Sequence, residues 1–343
     1  MLMMKSLNFA RAARAAVFWG GLCALCARGD ILPDAVRTPT QEFGMRQKAA
    51  VSDLKADLVY KRVGVVDLTL DLMLPKVTTG PDGKALFTKG TPVVFFLHGG
   101  GWRSGSRYNS ATEAKFFSDN GIALACVSYR MLDGKSNTIN TCIEDCFDAA
   151  RFVAKYAKQY GLDSNAFFAY GHSAGGHLSL MMALADPAAF PGDPALAKET
   201  FRFVGAVPSA GPTTFLDIDA WGKNRWLANP EKCQGAFGGG FEATQTAREK
   251  ASPVFWLKKD APPLVLIQAQ DDATVGIAGT DAFVKKAQAL GVDVQYMRVA
   301  SGGHRLPQVG NPPSTPRINF VLNALKQMVQ QTPAQTAAVN GKS

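Results

Sequence analysis

The stretch Gly171-His172-Ser173-Ala174-Gly175-Gly176-His177 constrains the fold more than any other part of the chain. Ser173 is the centre of a G-x-S-x-G pattern. The bare pattern is permissive, so its flanks decide. Before it, Asn165-Ala166-Phe167-Phe168-Ala169-Tyr170 reads as a short buried strand. After it, Leu178-Ser179-Leu180-Met181-Met182-Ala183-Leu184-Ala185 is rich in helix formers. Strand, sharp turn and helix are the setting in which a turn lifts a serine hydroxyl clear of a sheet. Small residues around the turn let the backbone cross closely without Cβ clashes. Taken alone, the pattern also fits a glycine-rich turn with an idle serine.

The rest of the chain alternates short apolar runs with helical patterns. Asp57–Lys61 and Asp67–Leu74 read as strands. Leu68, Leu70, Leu72 and Leu74 alternate with period two onto one strand face. These strands are expected to pair as an antiparallel edge. Val93–Leu97, Ile122–Val127, Phe203–Val207, Leu264–Gln268 and Val294–Val299 are further strands. Helices are expected over 111–119, 141–160, 280–290 and 317–329. Alternating buried strands and helices imply an α/β fold, a mostly parallel central sheet with helices on both faces. Residues 211–262 break the rhythm and hold Phe215, Trp221, Trp226, Phe237, Phe241, Phe255 and Trp256. They are expected to form a cap-like insertion over the C-terminal edge of the sheet, with aromatics buried against the body or a ligand. Residues 27–50 read as a polar leader, 51–330 as one catalytic domain and 331–343 as a disordered tail.

Lys5, Arg11 and Arg14 precede the short apolar stretch Ala15–Cys26, and Ala24-Leu25-Cys26 offers small residues for cleavage before Ala27. Residues 1–26 are therefore expected to be a signal peptide, and the chain to be exported, periplasmic or secreted. The stretch is shorter than the roughly 20 residues of a spanning helix, so no integral membrane span is expected in the mature chain. The formal charge is +9, but lysines and arginines are scattered. That is a solvated surface, not the clustered stripe of a nucleic-acid footprint. Cys126, Cys142, Cys146 and Cys233 lie beyond the cleavage point. Buried thiols or one structural disulfide are expected, with no pairing assignable. No histidine lies near Cys142 and Cys146, so no metal site is expected.

An unaided serine hydroxyl is a poor nucleophile and needs a base that is itself oriented. The chain has 4 histidines. His172 sits inside the turn, His177 on the helix after it, and His98 opens a glycine run. His304, in Ser301-Gly302-Gly303-His304-Arg305, follows the last strand, where a loop can carry an imidazole to Ser173. The acid is expected after the strand Leu264–Gln268, where Asp271 and Asp272 compete. Gly99-Gly100-Gly101 follows a buried strand and can present backbone N–H groups without side-chain obstruction. Gly100, Gly101 and Ala174 are the candidate oxyanion hole. A phosphate loop fits poorly, because no lysine follows in Walker fashion and no G-x-G-x-x-G frame is present. Trp102 beside the glycine run is a candidate substrate-binding residue. This chemistry needs no cofactor and no metal.

Together His98-Gly99-Gly100-Gly101-Trp102, Gly171–His177, the Asp272 turn and Gly303-His304 resemble the α/β-hydrolase superfamily. The likeness is to its esterase/lipase branch, near the hormone-sensitive-lipase-like and feruloyl-esterase-like carboxylesterases. It covers residues 57–330. Tyr129-Arg130, Asp145–Phe152 and Ala251-Ser252-Pro253 are similar to family features too. Aligned on the family's G-x-x-D-x-x-V-P turn, Asp272 takes the acid position and Val275 the valine. Ala269 and Gly276 replace the usual glycine and proline, and Asn140 a common proline. The resemblance implies a serine hydrolase of carboxylic esters working on a small-molecule substrate through an acyl-enzyme, with Ser173, His304 and Asp272 as catalytic residues. The alternatives are an amidase, arylformamidase-like or peptidase activity on the same scaffold, a lipid-surface lipase, and a catalytically inert binding module. Oligomeric state is not readable.

Overall fold

A computed structural model describes residues 37–108, 110–224 and 226–305, and 323, 326, 327 and 329 near the C-terminus. The expected signal peptide and tail lie outside the described residues, as does most of the expected helix over 317–329.

Eight strands build one sheet: β1 Asp53–Val63, β2 Val66–Leu74, β3 Thr91–Leu97, β4 Ala123–Val127, β5 Leu162–His172, β6 Phe203–Ser209, β7 Leu264–Ala269 and β8 Val294–Val299, in the order β1-β2-β4-β3-β5-β6-β7-β8. β1 pairs antiparallel with β2, and β2 with β4. From β4 onward every pairing is parallel. The helices are α1 Pro39–Val51, α2 Ala111–Asp119, α3 Ile139–Lys155, α4 Ala157–Tyr160, α5 Ala174–Leu184, α6 Pro230–Phe237, α7 Gln245–Ala251, α8 Pro253–Trp256 and α9 Ile277–Ala289. The helix expected over 141–160 is thus broken at Tyr156, and its second piece ends at Gly161 with φ 66°.

Successive residues of a strand serve opposite faces. Val93, Phe95 and Leu97 of β3 join a core with Ile143 of α3 and Leu178 of α5. Val94 joins a second core with Ala114 and Phe117 of α2. Both faces are therefore covered, and the central strands carry continuous apolar runs for that reason. Cys126, Cys142, Cys146 and Cys233 are all buried free thiols, not a disulfide.

The polar leader is corrected at residue 39. Pro39–Val51 is a helix, and the folded body begins before residue 51. Thr38 and Gln41 cap it reciprocally, and Pro39 occupies its first turn. The helix shows no apolar stripe because its anchor is ionic. Lys48 is fully buried, its Nζ 3.1 Å from Asp71 Oδ2 of β2 and 2.6 Å from the Arg107 carbonyl. A second buried cluster holds β1 to α3. Lys61 Nζ lies 2.9 Å from Glu144, 2.9 Å from Asp145 and 2.7 Å from Asp148. Burial works against the Lys61 ammonium, but these carboxylates outweigh it and raise its pKa. The carboxylate group that could gather a metal ion is therefore filled by an ammonium.

Residues 211–262 form short helical turns and α6 to α8, with α6 and α7 packed on α3 and α8 on α5. Phe215, Trp221 and Phe237 are buried, whereas Phe255 is exposed. Trp102 and Trp221 each contact the rings of Phe215 and Trp226. His177 of α5 ties this layer to the body. Its Nε2 donates to the Ala251 carbonyl at 2.7 Å, and its Nδ1 accepts from Trp102 Nε1 at 3.3 Å. Burial, opposed by the bond to Ala251, pushes the His177 pKa down from 6.5 to about 4. Between those values the unfolded chain binds a proton that the folded chain refuses. Stability is therefore full above about pH 6.5 and falls as pH drops toward 4, by up to about 1.4 kcal/mol per pH unit for such a histidine. His177→Gln should flatten this slope in urea-unfolding midpoints measured across that window. An unchanged slope would show that His177 is not a source of it.

Candidate active site

Ser173 is the single residue between β5 and α5. Its backbone has φ 58° and ψ −121°, a region that side chains avoid. The surroundings hold it there. Its N–H donates to the Ser209 carbonyl at the end of β6 at 2.8 Å, and its carbonyl accepts from His177 N at 2.9 Å. The flanking glycines are dictated by crowding. A Cβ on Gly171 would lie 2.4 Å from the Gly175 carbonyl oxygen, and one on Gly175 would lie 1.9 Å from the Leu97 carbonyl oxygen. Neither space accepts a methyl group.

His304 lies on a short 3₁₀ turn, Gly303–Arg305, beyond β8. Its Nε2 is 2.8 Å from Ser173 Oγ, and its Nδ1 is 2.8 Å from Asp272 Oδ2. Three side chains far apart in sequence thus form one hydrogen-bonded chain. Asp272 follows β7 and is itself fixed. Its Oδ1 accepts from Thr274 N at 2.8 Å and Val275 N at 2.9 Å, and its Oδ2 from Gln268 Nε2 at 2.8 Å. Burial raises the Asp272 pKa, but the bond from His304 and the two backbone N–H groups outweigh it and hold the carboxyl below its usual value. An ionised acceptor at Nδ1 leaves Nε2 free to take a proton from the hydroxyl.

Asp271 faces elsewhere. Its carboxylate accepts from Gly302 N at 3.2 Å and Gly303 N at 2.8 Å, so it grips the backbone of the loop that carries His304. Asp271 and Gln268 are the supporting residues that sequence reasoning missed as such. The spacing of the acid turn favours Asp272 as the acid, but it gives Asp271 no role. A polar residue at the end of an otherwise apolar strand is the one signal that marks Gln268.

The glycine run leaves β3 beside the turn. A Cβ on Gly99 would lie 2.8 Å from the His172 carbonyl oxygen and 3.4 Å from Ser173 Cβ. Gly100 and Gly101 adopt φ 114° and 64°. The Gly100 carbonyl closes the turn by accepting from Arg103 N and Ser104 N, each at 3.1 Å. Ala174 opens α5, where backbone N–H groups lack helical partners and the helix dipole is positive. Trp102 is corrected from a substrate-binding residue to a core one. Its side chain is 4% exposed and joins the core with Phe215. The turn at Gly100 folds the indole inward, where His177 offers its N–H an acceptor.

Among the described residues no helix is long and apolar enough to cross a membrane. The profile of the BD-FAE family matches residues 70–287. A probable isoprenylcysteine alpha-carbonyl methylesterase of Arabidopsis thaliana is 32% identical over 110 residues, 32% of this chain and 21% of that protein. The esterase LipC of Mycobacterium tuberculosis is 25% identical over 270 residues, 74% of this chain and 62% of its own. The chain thus spans less than two thirds of the length of these relatives. A thermophilic esterase of Thermogutta terrifontis superposes with a TM-score of 0.65 at 19% identity, covering 82% of this chain and 92% of that one. The esterase 2 of that organism, phosphonylated by sarin, gives 0.63 at 20% identity over 85% and 95%. At such identity the likeness establishes the fold, an α/β-hydrolase sheet. The family match extends over more than half of the sequence, and the chain belongs to the BD-FAE family of α/β-hydrolase esterases.

Proposed function

We propose that the protein hydrolyses carboxylic esters of small molecules through an acyl-enzyme. Ser173 is the nucleophile, His304 the general base and Asp272 the group that orients and stabilises the imidazolium. The N–H groups of Gly100, Gly101 and Ala174 receive the oxyanion. The observation that carries this reading is the position of His304, within 2.8 Å of both Ser173 Oγ and Asp272 Oδ2. The family and the relatives named as esterases support the ester as substrate.

The proposed reaction uses this geometry. Ser173 Oγ attacks the ester carbonyl while its proton passes to His304 Nε2. Negative charge gathers on the former carbonyl oxygen, where N–H donors of the glycine turn and the helix start stabilise it more than they stabilise the ester. His304 then protonates the departing alcohol. Water attacks the acyl-enzyme by the same route and frees Ser173. The strained backbone of Ser173 serves this by holding Oγ out of the turn, toward His304.

The proposal extends to export. Residues 1–26 carry the basic start and short apolar stretch of a signal peptide. Protein recovered outside the cytoplasm should begin at or close to Ala27 on N-terminal sequencing, and an intact Met1 on soluble cytoplasmic protein would sink this part.

Ser173→Ala should lower turnover of a p-nitrophenyl ester by orders of magnitude, toward the ~10⁶ scale of a lost nucleophile, and abolish labelling by a fluorophosphonate. Retained turnover would overturn the assignment. Asp272→Asn should cost on the order of 10⁴ in kcat, because the amide favours the wrong imidazole tautomer. Asp271→Asn leaves the Nδ1 acceptor in place and should cost far less. A larger loss at Asp271 would reverse the two roles. Matched ester and amide substrates then separate an esterase from an amidase on the same scaffold.

A further inference from the structure

His172, the free position inside the G-x-S-x-G pattern, has no part in the mechanism above. Its Nε2 lies 2.6 Å from the main-chain carbonyl oxygen of His304. We propose that His172 is a positioning residue, whose N–H tethers the backbone of His304 and so holds the catalytic imidazole against Ser173. This rests on the assignment of His304 as the base.

The loop that carries His304 needs such a tether. It begins after Val299, the last residue of β8, and Gly302 and Gly303 adopt φ 135° and 58°. Asp271 grips it on the N-terminal side of the imidazole, through the N–H groups of Gly302 and Gly303. Asp272 and Ser173 bind only the ring of His304. His172 grips the carbonyl on the other side. With both peptide flanks fixed, the backbone that carries the ring cannot shift away from Oγ without breaking one of these contacts. The tether also couples two parts of the site directly, because His172 and Ser173 are adjacent in the chain.

The chemistry of the bond sets the state of His172. A carbonyl oxygen only accepts, so Nε2 must carry the hydrogen. The rings of His172 and His304 are 5.0 Å apart. A cation at His172 would oppose the imidazolium that forms at His304 during attack, so the neutral Nε2–H tautomer is the one that serves catalysis. His304 and Asp272 are the titratable groups that act on it. Burial and then His304 push its pKa down, against the bond to the His304 carbonyl and the charge of Asp272, to about 4. His172 therefore stays neutral while His304 cycles.

Glutamine and methionine at position 172 have nearly the same shape, but only glutamine offers an N–H. His172→Met should lower kcat by about 10- to 100-fold, the cost of a reacting group displaced by a fraction of an ångström to 1 Å, with KM little changed. His172→Gln should recover most of that loss. Both are compared by melting temperature, so that a folding defect is not read as lost positioning. Should the methionine variant not fold, His172→Asn, whose amide is too short to reach the carbonyl, takes its place. Equal kcat losses in the glutamine variant and the variant that cannot reach the carbonyl with an N–H, or no loss in the latter, would overturn the proposal. Ser173→Ala assayed alongside keeps the two readings apart. An inactive Ser173→Ala beside a fully active His172→Met defeats the tether alone, whereas an active Ser173→Ala defeats the catalytic reading and the tether with it.

Discussion

The site depends on a steric constraint, the contact between the end of β3 and the start of α5. A Cβ on Gly175 would lie 1.9 Å from the Leu97 carbonyl oxygen, and Leu97 pairs in register with Gly171. A helix that starts this close to a neighbouring strand can follow β5 only through a tight turn, and Ser173 is the residue that makes it. The same closeness decides what surrounds Ser173. The chain leaves β3 right after Leu97, so the glycine run lies against Ser173. β6 ends at Ser209, which pairs with His172 and binds the Ser173 N–H. β7 and β8 then deliver Asp272 and His304 at the same edge. Parallel strands of one sheet present all their carboxyl ends together, which is where ligands of such sheets bind.

Elements that depend on apolar burial were legible in the sequence. β3, β4, β6, β7 and the second half of β5 are buried and appear as short apolar runs, so they could be placed by inspection, whereas the edge strand β8 alternates apolar residues with Gln295 and Arg298. The turn at Ser173 was legible because crowding leaves its glycines no substitute. α1 was not legible, because its anchor is one buried ion pair, Lys48 with Asp71, and periodicity carries no trace of an ion pair. Trp102 was misread for a related reason. An aromatic beside a glycine loop looks the same in sequence whether the loop folds its ring outward to a ligand or inward to His177.

The histidines show how packing sorts chemically identical groups. Burial pushes both His172 and His177 down to about 4, so neither carries charge near neutral pH, and each is committed to a carbonyl through Nε2. A base must have a free lone pair aimed at the proton it takes. His304 meets that condition with Nε2 at Ser173 Oγ, and Asp272 at Nδ1 sets the tautomer. The two committed histidines stand on either side of Ser173 in the chain and bind different segments. His172 reaches the loop of His304, and His177 reaches Trp102 beside the glycine run.

Asp271 and Asp272 divide their work by the same logic. Adjacent residues in an extended or turn segment point in different directions, so two neighbouring carboxylates cannot both reach one imidazole. Asp272 turns into the protein, where Gln268 and two backbone N–H groups can hold an ion that burial would otherwise neutralise. Asp271 stays exposed and takes backbone donors from the loop opposite. Buried, hydrogen-bonded charge is strong and geometrically fixed, which suits a group that orients an imidazole. Exposed charge is screened and adaptable, which suits a group that only anchors a loop. The environment of each carboxylate, rather than its identity, therefore separates the two, where the sequence favours Asp272 only through the spacing of the acid turn.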